Sequence, residues 1–343
     1  MRVLVTGGTG FVGCHSVKAI ADAGHEVRLL VRAPERIAPA LAPLGLDGLE
    51  HVVGDVTDAA AVERALDGCD AVLHAANVYK LDARAAEEML DVNPRSTELV
   101  LRAARARGLD PIVHVSSTVT LLPTTAPALT PDSPIGAPPG AYASSKTEAE
   151  WIARGLQAEG APVVIVYPGG ILGPHDPRGS DYVRVARDVI RNRIPMRPRG
   201  SSPVVDVRDL AAVHAALLER GLGPRRFIAS AGDLSLDDLA AVARRLTGRR
   251  IPGFSVPAKL VLEGGRAADL AQRALPVRLP VNYEGPWLLA QEHRADATAT
   301  TEQLGVRFRP VEESLADTYR WLWEAGRLSR RQAGRMAAEP AQP

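Results

Sequence analysis

Tyr142 and Lys146 are the first side chains in this sequence whose types and spacing could do chemistry. They fall in a stretch of helical pattern, where positions i and i+4 lie on one face. A phenol with a pKa near 10 exchanges protons poorly at neutral pH, but a neighbouring ammonium group lowers that pKa. The pair could therefore pass a proton to or from a substrate oxygen, although Tyr–Lys pairs are also common on helix surfaces. Ser117, after the preceding predicted strand, favours the chemical interpretation because its hydroxyl could bind the same oxygen.

A glycine-rich turn near the N-terminus is the second such feature. Gly7, Gly10 and Gly13 follow an apolar strand pattern over residues 1–6 and precede a helical pattern over residues 14–23. Glycines permit close backbone approach, and a helix N-terminus offers N–H groups and a partial positive charge to a pyrophosphate. A purely structural turn is the alternative, but the position between a strand and a helix favours dinucleotide binding.

The residues that follow the next predicted strands fit the rest of a dinucleotide. Arg32 lies about 20 residues beyond the last glycine, where an acid selects NAD and an arginine accommodates the 2′-phosphate of NADP. It favours NADP, a solvated loop arginine being the alternative. Asp55 could accept a hydrogen bond from adenine, cap the helix that begins near residue 58, or do both. Ala75, Ala76 and Asn77 are small enough to leave room for the cofactor.

The elements that must position these residues alternate between strand and helix. Strands are predicted over residues 1–6, 25–32, 49–53, 70–75, 111–116 and 163–167, and helices over 14–23, 83–107 and 142–157. This alternation predicts an α/β Rossmann-type fold, a doubly wound parallel sheet whose ligands bind at the carboxyl ends of the strands. Pro94 predicts a kink or break near Asn93 in the helix over 83–107.

The chain beyond residue 174 predicts a smaller C-terminal substrate lobe. Its predicted helices cover residues 181–192, 209–219, 236–246, 256–275, 285–293 and 314–325, and its predicted strands 203–206 and 225–230. We therefore divide the chain into a dinucleotide-binding domain (1–174), a substrate lobe (175–325) from which segments near 204–230 return to the first domain, and a flexible tail (326–343).

Composition narrows the class of protein. The chain has 343 residues, 46% of them hydrophobic and 24% charged, with a net charge of +1. These values are typical of a soluble globular protein and argue against strong attraction to nucleic acid or anionic lipid. No signal peptide, membrane span or metal-ligand spacing is visible, so we expect a cytoplasmic protein without a metal site. Cys14 and Cys69 are expected to be buried small hydrophobes and not a disulfide.

Several short motifs together resemble one known family. They are T-G-G-T-G-F-V-G (6–13), G-D-V-T-D (54–58), H-A-A-N (74–77), V-S-S (115–117), Y-A-S-S-K (142–146), P-G-G-I-L-G-P (168–174), V-V-D-V-R-D-L-A (204–211) and E-Q-L-G-V-R-F-R-P-V-E-E-S-L (302–315). In this order, over nearly the whole chain, they resemble the extended short-chain dehydrogenases/reductases of the NAD(P)-dependent epimerase/dehydratase superfamily. Among its subgroups, the chain is most similar to dihydroflavonol 4-reductase-like and 3β-hydroxysteroid dehydrogenase-like members.

The resemblance implies a role for each matched residue. Tyr142 would be the general acid/base, Lys146 would lower its pKa and bind the nicotinamide ribose, and Ser117 would orient the substrate oxygen. The implied cofactor contacts are Gly7, Gly10, Phe11, Val12 and Gly13 at the pyrophosphate, Asp55 and Val56 at adenine, Ala75, Ala76 and Asn77 along the cofactor's path, and Pro168 and Ile171 at nicotinamide. Asn93 matches a position associated with a proton relay or structural water. The family often dimerises through helices such as 83–107 and 142–157, so a homodimer is implied.

Two departures from the family pattern bear on the substrate. Leu121-Leu122 stands where sugar-modifying members often show Tyr-Gly, and Tyr167 stands where many carry arginine. Both argue against a nucleotide sugar, and the apolar loop residues Leu121, Leu122 and Leu129 hint at a lipophilic ligand. His175 and Asp176 follow the last family turn, and we expect a solvated loop pair without a catalytic role.

We predict an NADP-preferring oxidoreductase that moves hydride between nicotinamide and a carbonyl or secondary alcohol of a small, lipophilic molecule. An epimerase or dehydratase that retains NAD is the first alternative. A non-catalytic NADP(H)-sensing protein is the second, although such a protein would not need an intact Ser117, Tyr142 and Lys146.

Overall fold

The computed structural model describes residues 1–79, 86–264, 266, 287–288 and 290–338. Its strands are β1 (Arg2–Thr6), β2 (Glu26–Val31), β3 (Glu50–Val53), β4 (Ala71–His74), β5 (Ile112–Val115), β6 (Ala128–Leu129), β7 (Val163–Pro168), β8 (Gly170–Leu172), β9 (Met196–Pro198), β10 (Ser201–Asp206), β11 (Arg225–Ala229), β12 (Gly232–Ser235), β13 (Phe254–Val256) and β14 (Arg294–Ala295). Its helices are α1 (Phe11–Asp22), α2 (Ile37–Leu41), α3 (Ala59–Leu66), α4 (Ala86–Ala106), α5 (Ala141–Ala158), α6 (Asp181–Ile190), α7 (Val207–Ala216), α8 (Leu236–Thr247), α9 (Thr298–Leu304), α10 (Val311–Glu324) and α11 (Arg330–Ala333).

A seven-stranded parallel sheet forms the centre, in the order β3-β2-β1-β4-β5-β7-β11. Because the chain runs outward in opposite directions from β1, the crossover helices cover both faces of the sheet. The reversal of strand order beside β1 opens a crevice at the carboxyl ends of the strands, where such sheets bind ligands. The predicted doubly wound fold is confirmed.

The register of the sheet aligns the strand ends that carry the candidate residues. Thr6, the last residue of β1, pairs with Leu30 of β2 on one side and with His74 of β4 on the other. The glycine turn, Arg32 and Ala75 therefore leave the sheet at one edge, although they are far apart in sequence.

Two apolar layers hold the sheet. On one face, α1 packs against α7 over side chains such as Val17 and Leu210. On the other, α3, α4 and α5 cover side chains such as Leu101 and Leu156. The strands between them are apolar almost throughout, as strands buried on both faces require.

A smaller lobe lies beyond the carboxyl edge. It contains a three-stranded sheet, β12-β10-β8, against which α6, α8 and α10 pack. Tyr319 of α10 is fully buried there and donates its hydroxyl proton to the Leu239 carbonyl over 3.0 Å. Phe11, the first residue of α1, also belongs to this core and joins the lobe to the glycine turn.

Several details differ from the sequence-based expectations. Residues 330–338 form helical turns that bury Ala333 and Met336 in the lobe core, so this part of the expected flexible tail is ordered. Helix α4 continues without a break through Pro94. Asp58, and not Asp55, caps α3, because its side chain accepts the Ala60 N–H.

The helical candidates over 256–275 and 285–293 lie partly outside the described residues; within them, residues 258–264 are helical. Cys14 is fully buried and Cys69 half-buried, and both are free thiols. Among the helices described, none combines the length and apolar character needed to cross a membrane.

Candidate active site

A cavity opens at the carboxyl edge beside β1. The residues that line it are Gly7, Thr9, Gly10, Leu30, Val31, Arg32, Ala33, Arg36, Gly54, Asp55, Val56, Ala75, Ala76, Asn77, Val78, Val92, Ser96 and Arg178. The structure thus brings together most of the cofactor residues expected from sequence: two of the glycines, Arg32, the Asp55–Val56 pair and residues 75–77.

The glycine turn is built so tightly that side chains would not fit. Gly7 has φ +75°, and a Cβ there would lie 2.7 Å from the Ala76 nitrogen. A Cβ on Gly13 would lie 2.1 Å from the Gly7 carbonyl oxygen, to which Gly10 already donates over 2.9 Å. The turn therefore brings bare backbone to the cavity at the start of α1, whose first N–H groups have no partners within the helix. These residues fit a dinucleotide pyrophosphate.

Phe11, Val12 and Gly13 form the first turn of α1 and are not among the residues that line the cavity. The Phe11 side chain points into the lobe core, with its ring edge-on to His15. Pro168 and Ile171, expected at nicotinamide, lie at the end of β7 and in β8, beyond the residues that line the cavity.

Asp55 lines the cavity beside Arg32. It accepts hydrogen bonds from the Thr57 N–H (2.8 Å) and hydroxyl (2.7 Å), and Arg32 lies 3.6 Å away. Burial opposes ionisation, but these hydrogen bonds and the arginine charge outweigh it and keep the pKa of Asp55 below its usual value. Asp55 is thus an anionic acceptor at the cavity wall.

Lys146 is almost completely buried in α5. Its ammonium group donates to the Val115 carbonyl, the last of β5, over 2.7 Å. Burial lowers the pKa of Lys146 to about 8, and the nearby Glu150 carboxylate opposes that shift. The group is thus held at the end of β5, one residue before the Ser116-Ser117 pair.

Glu150 is a buried carboxylate near Lys146 that the sequence motifs did not single out. It is fully buried one helical turn after Lys146 and accepts from the Ser116 hydroxyl (2.6 Å), the Tyr167 hydroxyl (2.6 Å) and Arg154 Nε (2.7 Å). This network also gives a reason for a tyrosine at position 167, where many family members carry arginine. The Tyr167 hydroxyl binds Glu150, and the cation beside Glu150 is provided by Arg154, one turn further along α5. The spacing of 146, 150 and 154 was a readable signal for one helix face.

Tyr142 and Ser117 are the other two candidate catalytic residues, and like Lys146 they are not among the residues that line the cavity. Tyr142 lies in the first turn of α5, half-buried, with the Tyr79 ring edge-on and its centroid 4.5 Å away. Ser117 begins the short helical turn at residues 118–121, where its oxygen accepts the Val119 N–H over 3.3 Å. Its hydroxyl proton can therefore still be donated to a substrate oxygen.

Asn93 connects the cavity wall to α5. Its side-chain oxygen accepts the Val78 N–H (2.7 Å), and its amide donates to the Val78 carbonyl (3.0 Å) and the Ser145 hydroxyl (2.9 Å). These bonds make Asn93 a clamp that holds the segment after β4 against the helix that carries Tyr142.

Two loop expectations need correction. Leu121, Leu122 and Leu129 are almost fully buried in the core under α4 and α5, so they do not form a lipophilic substrate surface. Asp176 is fully buried and not solvated. Its carboxylate accepts the N–H groups of Arg178 (3.0 Å) and Gly179 (2.9 Å) and so organises the loop before α6.

Comparison with known proteins agrees with this geometry. The family model for the NAD dependent epimerase/dehydratase family matches residues 3–229. The chain belongs to this family. As a member of it, and of the extended short-chain dehydrogenases/reductases, the protein is an NAD(P)-dependent oxidoreductase.

Named relatives span almost the whole chain. A candidate dihydroflavonol 4-reductase of Synechocystis sp. is 30% identical over 332 residues, 94% of each chain. Sterol demethylase protein B of Methylococcus capsulatus is 28% identical, covering 96% of this chain and 100% of its own. Among solved structures, gox2253 superposes with a TM-score of 0.81 at 26% identity, covering 96% of this chain and 99% of its own. UDP-glucose 4-epimerase from Bifidobacterium longum, with NAD+ and UDP, shares the fold with a TM-score of 0.72 at 20% identity over 95% and 99%.

Proposed function

We propose that this family member is an NADP-preferring oxidoreductase that interconverts a carbonyl and a secondary alcohol on a small, lipophilic molecule. The observation that carries the proposal is the buried Lys146 ammonium, one helical turn from Tyr142 and fixed at the end of β5 beside Ser117. That arrangement can tune a phenol for proton transfer.

In the proposed reaction the bound nicotinamide supplies or accepts the hydride. Ser117 donates a hydrogen bond to the substrate oxygen and fixes its position. In the direction of reduction, Tyr142 gives its hydroxyl proton to that oxygen, and in oxidation the phenolate takes the proton back. Lys146 stabilises the phenolate by its charge, and Glu150 helps keep that charge on the lysine inside the protein.

The preference for NADP rests on the charges at the ribose end of the cavity. Arg32 follows β2 where NAD-selective folds place an acid, and Arg36 lines the same cavity one turn later. Asp55 lies beside Arg32 at 3.6 Å, but Arg36 has no carboxylate within ion-pair distance in the part of the chain that is described. A 2′-phosphate would supply the missing negative charge.

The proposal of a lipophilic substrate is based on the named relatives, because the buried loop leucines do not support it. Sterol demethylase protein B covers all of its own length in the match, and its name points to sterol chemistry. We therefore place sterols, with other ketones and aldehydes, first among the compounds to screen.

Binding and turnover together test the proposal. Nucleotide-stripped protein is titrated with NADPH and NADH by fluorescence, and the nucleotide released on stripping is identified. We expect tighter binding of NADPH, little copurified nucleotide, and NADPH-dependent reduction of one of the screened carbonyl compounds. Copurified NAD would instead favour the epimerase or dehydratase alternative.

Tyr142→Phe separates catalysis from binding. We expect kcat to fall by about 10²- to 10⁴-fold, the usual contribution of a positioned general acid, with the affinity for NADPH unchanged. Tyr319→Phe is the matched control, because that hydroxyl lies in the lobe core, where it donates to the Leu239 carbonyl. Full reductase activity in Tyr142→Phe would refute the role of Tyr142 as general acid, whereas a wild type that binds NADPH but reduces none of the screened compounds would favour the non-catalytic sensor.

We also propose a homodimer that forms through α4 and α5. These helices pack side by side, and their outer surface carries Trp151, 62% exposed, and Leu90, 43% exposed. Sedimentation velocity should give a dimer for the wild type and a monomer for Trp151→Glu. A monomeric wild type would refute this assembly without bearing on the reaction.

A further inference from the structure

Arg178 is a third arginine in the cofactor cavity, and it comes from the other side of the crevice. It lies in the loop after β8, which leads into α6 of the lobe. Its side chain lines the same cavity as Arg32 and Arg36, and its Nη2 donates to the Thr9 hydroxyl in the glycine turn over 3.2 Å. The motifs read from the sequence gave no reason to place it there.

The loop is built to hold Arg178 in this place. Asp176 accepts the Arg178 N–H over 3.0 Å, and its own carbonyl accepts from Arg327 Nη2 over 3.0 Å. His15 Nε2 of α1 donates to the Pro174 carbonyl over 3.0 Å. Bonds from the first helix and from the end of the lobe therefore fix both sides of the loop, so the position of the Arg178 backbone is set by the fold.

The charges around Arg178 are unbalanced. Arg178 is exposed at the mouth of the cavity but partly desolvated there, and this, followed by the positive charges of Arg36 and Arg32, lowers its pKa against the opposing charge of Asp176. Within the described chain no carboxylate comes close enough to Arg178 or Arg36 to form an ion pair, and the Asp176 carboxylate is occupied by backbone N–H groups. Asp55, 3.6 Å from Arg32, and the charge of Asp176 offset part of this positive charge, and a bound phosphate would relieve the repulsion that is left.

We propose that Arg178 determines cofactor specificity by binding the 2′-phosphate of NADP(H) together with Arg32 and Arg36. This inference rests on the proposed NADP preference and adds that the lobe, and not only the end of β2, selects the cofactor. A dinucleotide offers two kinds of phosphate here, because Thr9 also belongs to the turn that cradles the pyrophosphate. We assign Arg178 to the 2′-phosphate because its cationic neighbours follow β2, where the adenosine ribose binds.

Four ligands distinguish the two phosphates by binding alone. Isothermal titration of the wild type and Arg178→Met with NADPH, NADH, 2′,5′-ADP and 5′-ADP compares ligands with and without the 2′-phosphate. Removing one charge-assisted hydrogen bond weakens the affinity for the ligand by roughly 10- to 100-fold. We expect that loss for NADPH and 2′,5′-ADP, with NADH and 5′-ADP changed by less than about twofold. Arg178→Lys should recover part of the affinity, because it keeps the charge but not the forked geometry.

Arg193→Met is the matched control, since Arg193 is also an exposed arginine of the lobe, outside the cavity. It should leave all four affinities unchanged. Equal losses for all four ligands in Arg178→Met would assign Arg178 to the pyrophosphate and overturn the proposal, as would no loss at all. If the wild type prefers NADPH and Arg178→Met keeps that preference, the role of Arg178 is refuted but the proposed NADP preference stands. A wild type that prefers NADH refutes the NADP preference and this inference with it.

Discussion

Glu150→Gln tests how the buried network controls the catalytic pair. The substitution replaces a fully buried carboxylate by a neutral amide of the same shape, one helical turn from Lys146. For charges about 6 Å apart at an effective dielectric constant of about 20, the lost attraction is about 3 kcal/mol, or about two pKa units. The positive Arg154 offsets part of the Glu150 charge, so we expect the pKa of Lys146 to fall by about one to two units.

The groups that face Lys146 from the sheet do not replace the lost charge. His74 on β4 and His114 on β5 are buried, and burial followed by the lysine charge lowers the pKa of each imidazole. Both shifts favour the neutral form of the imidazole, so neither ring supplies charge near Lys146. Of the groups that act on Lys146, Glu150 is the one that favours its charged form.

The pH dependence of reduction shows the effect. The pKa of Lys146 is about 8, so most of the wild-type lysine is charged at pH 7. In the variant the pKa would be about 6 to 7, and the amine would be largely neutral at pH 7.5. We expect the alkaline limb of kcat/KM to move down by about one to two pH units, with the melting temperature recorded as a check on folding.

Arg154→Met is the control of opposite sign, because it removes a cation from the same network. It should move the alkaline limb upward and by less, since Arg154 lies two turns from Lys146. An alkaline limb that stays in place in Glu150→Gln, while Lys146→Met is inactive, would refute the reasoning and leave Glu150 a purely structural role.

Three further substitutions test other parts of the structure. Gly13→Ala places a methyl group 2.1 Å from the Gly7 carbonyl oxygen. Denaturant unfolding should therefore show that the free energy of unfolding falls by about 1–3 kcal/mol, and titration with NADPH should show weaker binding. Unchanged values would contradict the tight turn. Asp206→Asn breaks the ion pair between the fully buried Asp206 and the partly exposed Arg208, which should cost about 1–3 kcal/mol at pH 7 because Arg208 keeps its second carboxylate partner, Asp317. Because the pKa of Asp206 is held below its usual value, the difference in unfolding free energy between wild type and Asp206→Asn should narrow as pH falls below about 4. A difference that does not depend on pH would argue against a charged pair. Lys146→Met should be inactive yet more stable to unfolding than wild type, by up to about 3 kcal/mol below pH 8. This difference in stability should shrink from about pH 8 to 10.5, because the folded wild type releases the lysine proton at a lower pH than the unfolded chain does. Equal stability of variant and wild type at pH 7 would show that burying the charge costs little.

Local patterns predicted the parts of the fold that local physics decides. The apolar strands, the glycine turn and the Tyr142–Lys146 spacing each depend on a few consecutive residues, and the strands, the turn and α5 form where these patterns predicted them. Their roles in catalysis and cofactor binding remain predictions.

The contacts that the sequence did not predict join residues far apart in the chain. Arg178 and Thr9 are 169 positions apart, and Asn93 and Ser145 are 52 apart. Tyr167 was noticed as a departure from the family pattern, but its reason depends on Glu150, which only the folded chain brings within reach. The prediction for the loop leucines was wrong because sequence alone does not distinguish an apolar residue that lines a substrate site from one that packs in the core beneath it.

The position of β11 has a consequence for how the protein can be made. β11 pairs with β7 and completes the main sheet, yet the chain reaches it only after α6, β9, β10 and α7. A fragment that ends at residue 174 would expose the backbone edge of β7, a strand in which every residue is buried in the native structure. Such a bare, apolar edge invites pairing with other chains, so the fragment should aggregate on expression. On the ribosome, too, the nucleotide-binding sheet stays open on this side until residue 229 has been synthesised.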